Sequence, residues 1–87
     1  MNDKITLTLE DGVTKEFDIL FEYTQNDKKY VTYTDYEKDE SGNIKCYSNI
    51  LDGDKTLPVD EENLITIDKI LRTLNKSNYI LEELMEK

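Results

Sequence analysis

The hydrophobic residues of this 87-residue chain change their spacing once, near residue 60. From Ile5 to Leu51 apolar side chains alternate with polar ones, which is the pattern of strands that bury one face. From Leu64 to Leu74 they recur at intervals of three and four residues, which is the pattern of an amphipathic helix. One such change predicts a block of strands followed by a helical segment, rather than strands and helices in alternation.

Four stretches carry the alternating pattern, and we predict strands over about residues 4–9, 15–24, 29–36 and 44–51. In the second and clearest stretch the apolar positions share one face: Phe17, Ile19, Phe21 and Tyr23. Because the connections hold only a few residues, successive strands are predicted to run antiparallel as a four-stranded meander. Thr56–Val59 contains Pro58, which suits a short extended edge or a connection.

The sequence indicates where the helical segment starts and does not determine where it ends. Asp60 stands where an N-cap residue is expected, and Glu61 and Glu62 complement the positive end of the helix dipole. We predict a helix over about residues 61–75. Residues 78–86 form either a second amphipathic helix or a continuation of the first. The expected fold is a single α+β domain over residues 1–87, with one or two C-terminal helices packed on one face of the meander.

The order of these motifs resembles that of a known family. The matching motifs are the turn Asp11-Gly12, the strand Glu16–Phe21, the turn and strand Asn26–Val31, the acidic loop Glu37–Gly42, Tyr47, and the step into the helix over Leu57–Leu74. This order is similar to that of the YrzB-like family (domain of unknown function 1292), which consists of small acidic bacterial proteins. The resemblance implies the same strand-then-helix layout in a bacterial cytoplasm. It supplies no activity, because the family is uncharacterised. Two departures are Asp27 in place of the turn glycine and a segment after Ser77 that extends beyond the usual helix.

The register between the second and third strands stays open at this point. A two-residue turn at Asn26-Asp27 sets Tyr23 opposite Tyr30, and the family's turn favours it. A three-residue turn sets Tyr23 opposite Val31, which gives the better apolar match in this sequence. One residue of slip exchanges the two faces of the third strand.

Charge excludes several classes of partner. The chain carries 20 acidic and 11 basic residues, a net charge of −9. A field of that sign repels phosphate backbones and anionic membranes, so we expect neither nucleic acid nor a membrane as a partner. Cys46 is the only cysteine and cannot form an intramolecular disulfide, and no apolar run reaches membrane-spanning length. We therefore expect a cytoplasmic protein.

The acidic loop does not fit a calcium site. With Asp35 as the first ligand of an EF-hand loop, Glu37 and Asp39 fit the third and fifth positions. The sixth position must be glycine and is Glu40, and the twelfth must be glutamate and is Cys46. There is no histidine, and the three glycines are isolated. We expect no metal, no cofactor and no enzymatic activity.

The tyrosines of the third and fourth strands are the most suggestive feature. Both faces of these strands carry tyrosine, so we expect one or two to lie exposed on the face opposite the helix. The candidate interaction surface is Tyr30, Tyr33, Tyr36, Glu37, Asp39, Glu40 and Tyr47. An aromatic patch rimmed with acids is typical of protein recognition. The sequence favours a non-enzymatic interaction module that binds a basic partner protein. The alternatives are a structural homodimer and, third, a small enzyme or metal-dependent protein.

Overall fold

The computed structural model of the protein describes residues 3–9, 11–53 and 55–82. Within these ranges the chain forms six strands and one helix. Their bounds are β1 (Lys4–Thr8), β2 (Thr14–Gln25), β3 (Lys28–Thr34), β4 (Ile44–Asp52), β5 (Lys55–Leu57), α1 (Glu61–Thr73) and β6 (Tyr79–Leu81).

Strands β1 to β5 pair with their neighbours in chain order, and every pair is antiparallel. The outer edge of β4 is shared by two short strands. β5 pairs with its end, with Ile50 opposite Leu57, and β6 pairs in parallel with its start, with Ile44 opposite Tyr79. Two parallel strands need a crossover connection. The connection from β4 to β6 runs through β5 and α1.

The predicted four-stranded meander with one or two helices is wrong. The described part of the chain is mostly β, with a curled antiparallel sheet and one short helix. Part of the segment predicted as a second helix over residues 78–86 is β6, and residues 83–86 lie outside the described ranges. The short extended piece expected near Pro58 is β5, which pairs within the sheet.

The end of the helix explains why β6 is a strand. Asn75 takes a left-handed conformation (φ 61°), and the Lys76 amide donates a hydrogen bond to the Leu71 carbonyl oxygen at 2.8 Å. This closure stops the helix and turns the chain back toward the sheet. The three apolar residues Tyr79–Leu81 then pair with the free edge of β4. A run of that length has no period that distinguishes a strand from a helix.

The turn between β2 and β3 settles the register near it. Asn26 and Asp27 both have positive φ (54° and 62°), as a two-residue type I′ turn requires. Tyr23 accordingly lies opposite Tyr30. The shorter of the two turns considered from the sequence is therefore the one formed.

A β-bulge then changes the register along β2. Phe21 lies opposite Thr32, but Ile19 lies opposite Tyr33, so Leu20 is the extra residue. The bulge reverses which side chains face each side, so that Phe21 points to the helix side while Phe17 and Ile19 point to the other. The expectation that these residues share one face of a regular strand is wrong, because one inserted residue exchanges the faces.

The face opposite the helix is buried by the curl of the sheet. The buried side chains there come from β1 to β4, and we call them the aromatic core: Leu7, Phe17, Val31, Tyr33 and Tyr47. Phe17 makes edge-to-face contacts with Tyr33 and Tyr47, at ring-centroid distances of 5.1 and 5.9 Å. No helix contributes to this cluster.

The other face is covered by α1. The buried residues between α1 and the sheet, which we call the helix-side core, are Cys46, Ile67 and Leu71. Phe21 and Tyr23 are among the partly buried residues around them. The predicted start of the helix is confirmed, because the Asp60 side chain accepts a hydrogen bond from the Asn63 amide.

Candidate functional site

Three of the four candidate tyrosines lie inside the protein. Tyr30, Tyr33 and Tyr47 are 4%, 0% and 7% exposed. Tyr33 and Tyr47 do lie on the face opposite the helix, as the alternation indicated, but the curl of the sheet closes that face. These three side chains therefore contribute no free ring surface to a partner.

Two of the three buried tyrosines form hydrogen bonds through their hydroxyl groups within the protein. The Tyr33 hydroxyl donates to Oδ1 of Asn49 in β4. The Tyr30 hydroxyl donates to Oδ1 of Asp60 at 3.1 Å, and burial together with this hydrogen bond raises the pKa of Tyr30. These contacts are typical of buried tyrosines, whose hydroxyl groups need partners.

A polar network joins the start of α1 to the sheet. The Tyr23 and Tyr30 rings are stacked at a centroid distance of 4.9 Å. The Tyr23 hydroxyl donates to Oδ1 of Asn63 at 2.8 Å, and Nδ2 of Asn63 donates to the Tyr30 hydroxyl at 3.1 Å and to Oδ2 of Asp60 at 2.9 Å. This network was not expected from the sequence, because it depends on the placement of the helix start directly above the stacked pair.

Tyr36 is the exception among the candidate tyrosines. Its side chain is 45% exposed, and its backbone takes a left-handed conformation with φ 66°. The amide of Tyr36 donates to Oγ1 of Thr34 at 2.9 Å, and this hydroxyl donates to the Lys45 carbonyl oxygen at 2.6 Å. Thr34 is fully buried, so its hydroxyl is a fixed acceptor for the Tyr36 amide.

The Tyr36 hydroxyl interacts with the carboxylate of Asp18 in β2. A hydrogen bond to Asp18 raises the pKa of Tyr36. Lys4 lies 2.8 Å from Oδ1 of Asp18, and it lowers the pKa of Asp18, with the Tyr36 hydroxyl as the second cause. Asp18 has no signal of this role in the sequence, because it reaches Tyr36 only through the pairing of β2 with β3.

The acidic loop is stabilised by its own turn. Asp39 accepts the Asn43 amide at Oδ1 (2.8 Å), and the Asp39 amide donates to the Asn43 carbonyl oxygen at 2.8 Å. Its carboxylate therefore serves the loop. Glu37 has an exposed side chain 3.6 Å from Lys15, and Glu40 is exposed with no ion pair among the described residues. We call Asp18, Tyr36, Glu37 and Glu40 the Tyr36 surface.

Metal-ligating side chains and the cysteine were the remaining candidates for chemistry among the described residues. No group of three or more histidine, cysteine, aspartate or glutamate side chains in residues 3–9, 11–53 and 55–82 could hold a metal ion. Cys46 is fully buried, and burial raises the pKa of its thiol to about 12, so the nucleophilic thiolate is strongly disfavoured.

A groove of about 400 Å³ lies between the end of α1 and β6. Its two cations are both engaged within the protein. Arg72 Nε lies 3.1 Å from Oδ2 of Asp68, and Lys76 Nζ lies 5.1 Å from the centre of the Tyr79 ring. The groove therefore contains one ion-paired cation and one cation over a neutral ring, and neither histidine nor cysteine lines it.

Comparison of the chain with known proteins finds no match: no protein-family model, no curated protein and no solved structure matches it. The resemblance to the YrzB-like family therefore stays a prediction. No helix in the described part of the chain is long and apolar enough to cross a membrane.

Proposed function

We propose that this chain is a non-enzymatic interaction module of the bacterial cytoplasm that binds a basic surface of another protein through the Tyr36 surface. The observation that carries this proposal is the conformation of Tyr36. It is an exposed aromatic residue held in the left-handed region, where glycine and asparagine are the usual residues.

The left-handed conformation is unfavourable for tyrosine by about 1–2 kcal/mol relative to a right-handed one. Such conformations persist where the surrounding structure imposes them, and they are concentrated at functional sites. Here hydrogen bonds flank the residue: its own amide donates to the buried Thr34 hydroxyl at 2.9 Å, and the Glu37 amide donates to Oδ1 of Asp35 at 3.2 Å. A glycine at this position would relieve the strain and would remove the ring. Tyrosine here supplies a hydroxyl that interacts with Asp18 and a side chain that is 45% exposed, and this exposure of the ring supports a role in binding.

The charge around the ring indicates the kind of partner. The chain has a net charge of −9, and two exposed carboxylates, Glu37 and Glu40, follow Tyr36 in the sequence. An acidic patch attracts basic surfaces, accelerates their association and repels acidic ones. Because exposed charges are screened by salt, this attraction falls steeply as ionic strength increases.

A binding experiment with defined peptides tests the proposal. Fluorescently labelled peptides, one basic and one neutral of equal length, are titrated with the protein at low and high salt, and binding is measured by anisotropy. We expect the basic peptide alone to bind, with an affinity that falls as salt is added. Tyr36→Gly should weaken binding while leaving the circular dichroism spectrum unchanged and the unfolding midpoint no lower, because glycine relieves the left-handed strain. Equal binding of both peptides, or binding unaffected by Tyr36→Gly, would contradict the proposal.

The structural homodimer remains the alternative, and sizing distinguishes it. Light scattering at the same two salt concentrations reports the mass of the particle. A mass of two chains that persists at high salt would favour association through apolar surface over recognition of a charged partner.

A further inference from the structure

The tyrosine rings differ in the contacts that they make within the protein. The chain has six tyrosines, and five of their rings contact another ring or a cation. Tyr23 and Tyr30 stack on each other, Tyr33 and Tyr47 pack with Phe17, and Tyr79 lies under Lys76. Among the described residues, the Tyr36 ring has no contact of either kind, and it is the ring that is exposed.

The protein's own cations already lie over aromatic rings at two places. Lys15 lies 5.9 Å from the centre of the Phe17 ring, and Lys76 lies 5.1 Å from that of Tyr79. The cation near Tyr36 is Lys4, and it pairs with Asp18 at 2.8 Å and with Glu16 at 3.5 Å. The ring of Tyr36 is therefore without a cation in a strongly acidic setting.

We infer that the Tyr36 surface recognises an arginine side chain of the partner in preference to lysine, with the guanidinium stacked on the Tyr36 ring and paired with a neighbouring carboxylate. This inference rests on the proposed function and names the group that the surface binds. A guanidinium is planar and weakly hydrated, so it can stack on a ring while its N–H groups bind a carboxylate. An ammonium group is compact and strongly hydrated, and it gains less at an exposed ring.

The backbone of Tyr36 favours this arrangement because it is ordered before the partner arrives. The Tyr36 amide donates a hydrogen bond to the buried Thr34 hydroxyl at 2.9 Å. A residue with an ordered backbone loses less conformational entropy on binding. The exposed Glu37 follows Tyr36 directly in the chain, and its carboxylate, 3.6 Å from Lys15 Nζ, is the acceptor for the guanidinium.

Two peptides of identical length and charge test the inference. One carries arginine and the other lysine at the same positions, and both are titrated with the 87-residue protein at low salt. We expect the arginine peptide to bind about two- to fivefold more tightly, which is the range of a cation–π contact at an exposed site. Amide resonances of Tyr36 and Glu37 should shift with the arginine peptide more than with the lysine peptide.

Two variants separate the ring from the hydroxyl group. Tyr36→Phe keeps the ring and should retain the preference for arginine. Tyr36→Asn suits the left-handed backbone, lacks the ring, and should bind both peptides equally. Glu61→Gln, an exposed acid at the start of α1, serves as the control for net charge and should retain the preference.

The outcomes distinguish this inference from the proposed function. Equal binding of the two peptides to the natural protein, or a preference that survives Tyr36→Asn, would overturn the choice of arginine and leave the interaction module standing. The absence of binding by either peptide at low salt would overturn both.

Discussion

The two faces of the sheet are both buried, and they are buried by different means. On one face the sheet curls over itself, and the aromatic core packs strand against strand. On the other, α1 lies across the sheet and is held at its start by the Tyr23–Asn63 and Tyr30–Asp60 hydrogen bonds. The first face depends on ring contacts and the second on aliphatic packing together with a polar network.

This difference explains where the tyrosines lie. A flat sheet with one covered face leaves its other face to solvent, and tyrosines on both faces would then supply an exposed patch. Here the curl removes that open face, so Tyr33 and Tyr47 become core residues. The exposed candidate tyrosine is Tyr36, which lies just beyond the end of β3. The candidate surface is consequently a chain segment next to the sheet and not a face of it.

The largest effect is expected in the aromatic core. Phe17→Ala removes the ring that contacts both Tyr33 and Tyr47, and it should lower the free energy of unfolding by about 3–5 kcal/mol. Urea unfolding followed by circular dichroism measures this loss. Leu71→Ala on the other face should lower it by about 2–5 kcal/mol. A smaller loss in the free energy of unfolding for Phe17→Ala than for Leu71→Ala would contradict the expectation that the aromatic core contributes more to stability than the helix-side core.

Substitutions in the polar network at the start of α1 should lower the free energy of unfolding by a smaller amount, and their losses should not be additive. Asn63→Ala leaves the Tyr23 hydroxyl without its acceptor, and we expect a loss of about 1–3 kcal/mol in the free energy of unfolding. Combining it with Tyr23→Phe forms a double-mutant cycle. The combined loss should be smaller than the sum of the single losses, because both changes remove the same hydrogen bond. Additive losses would show that the network acts as separate contacts.

The start of the helix and its cap could be predicted from the sequence, because Asp60 and the following glutamates are local signals. Other features depend on tertiary contacts. The bulge at Leu20 has no turn residue to mark it, and β6 is three apolar residues long. The interaction of the Tyr36 hydroxyl with Asp18 depends on the pairing of β2 with β3. Long-range pairing decides all of these, so the repeating pattern of the sequence could not show them.

The turn between β2 and β3 offers a stabilising substitution. It fixes the register that sends Tyr23 and Tyr30 to the helix side, and Asp27 occupies it at φ 62°. Asp27→Gly should raise the free energy of unfolding by about 0.5–1 kcal/mol, because asparagine followed by glycine is the preferred pair of a type I′ turn. The urea midpoint measures the gain. Lys28→Gly, one position later at the start of β3, should instead destabilise the protein. A destabilised Asp27→Gly protein would contradict the turn type.

The smallest effect should be the dependence of the helix-side contacts on pH. Hydrogen bonds from Asn63 lower the pKa of Asp60 below its ordinary value. A carboxyl group with a lowered pKa in the folded state contributes stability above its unfolded pKa, and this contribution is lost as the pH falls through the folded value. Asp60→Asn keeps a good N-cap residue and removes the titrating group. Between pH 5 and pH 3, a range in the region of the ordinary aspartate pKa, the variant should therefore lose less stability than the natural protein. The other carboxyl groups are common to both proteins, so their titration cancels in the comparison. Equal losses, measured by urea unfolding at the two pH values, would mean that the charge on Asp60 does not hold α1 to the stacked tyrosines.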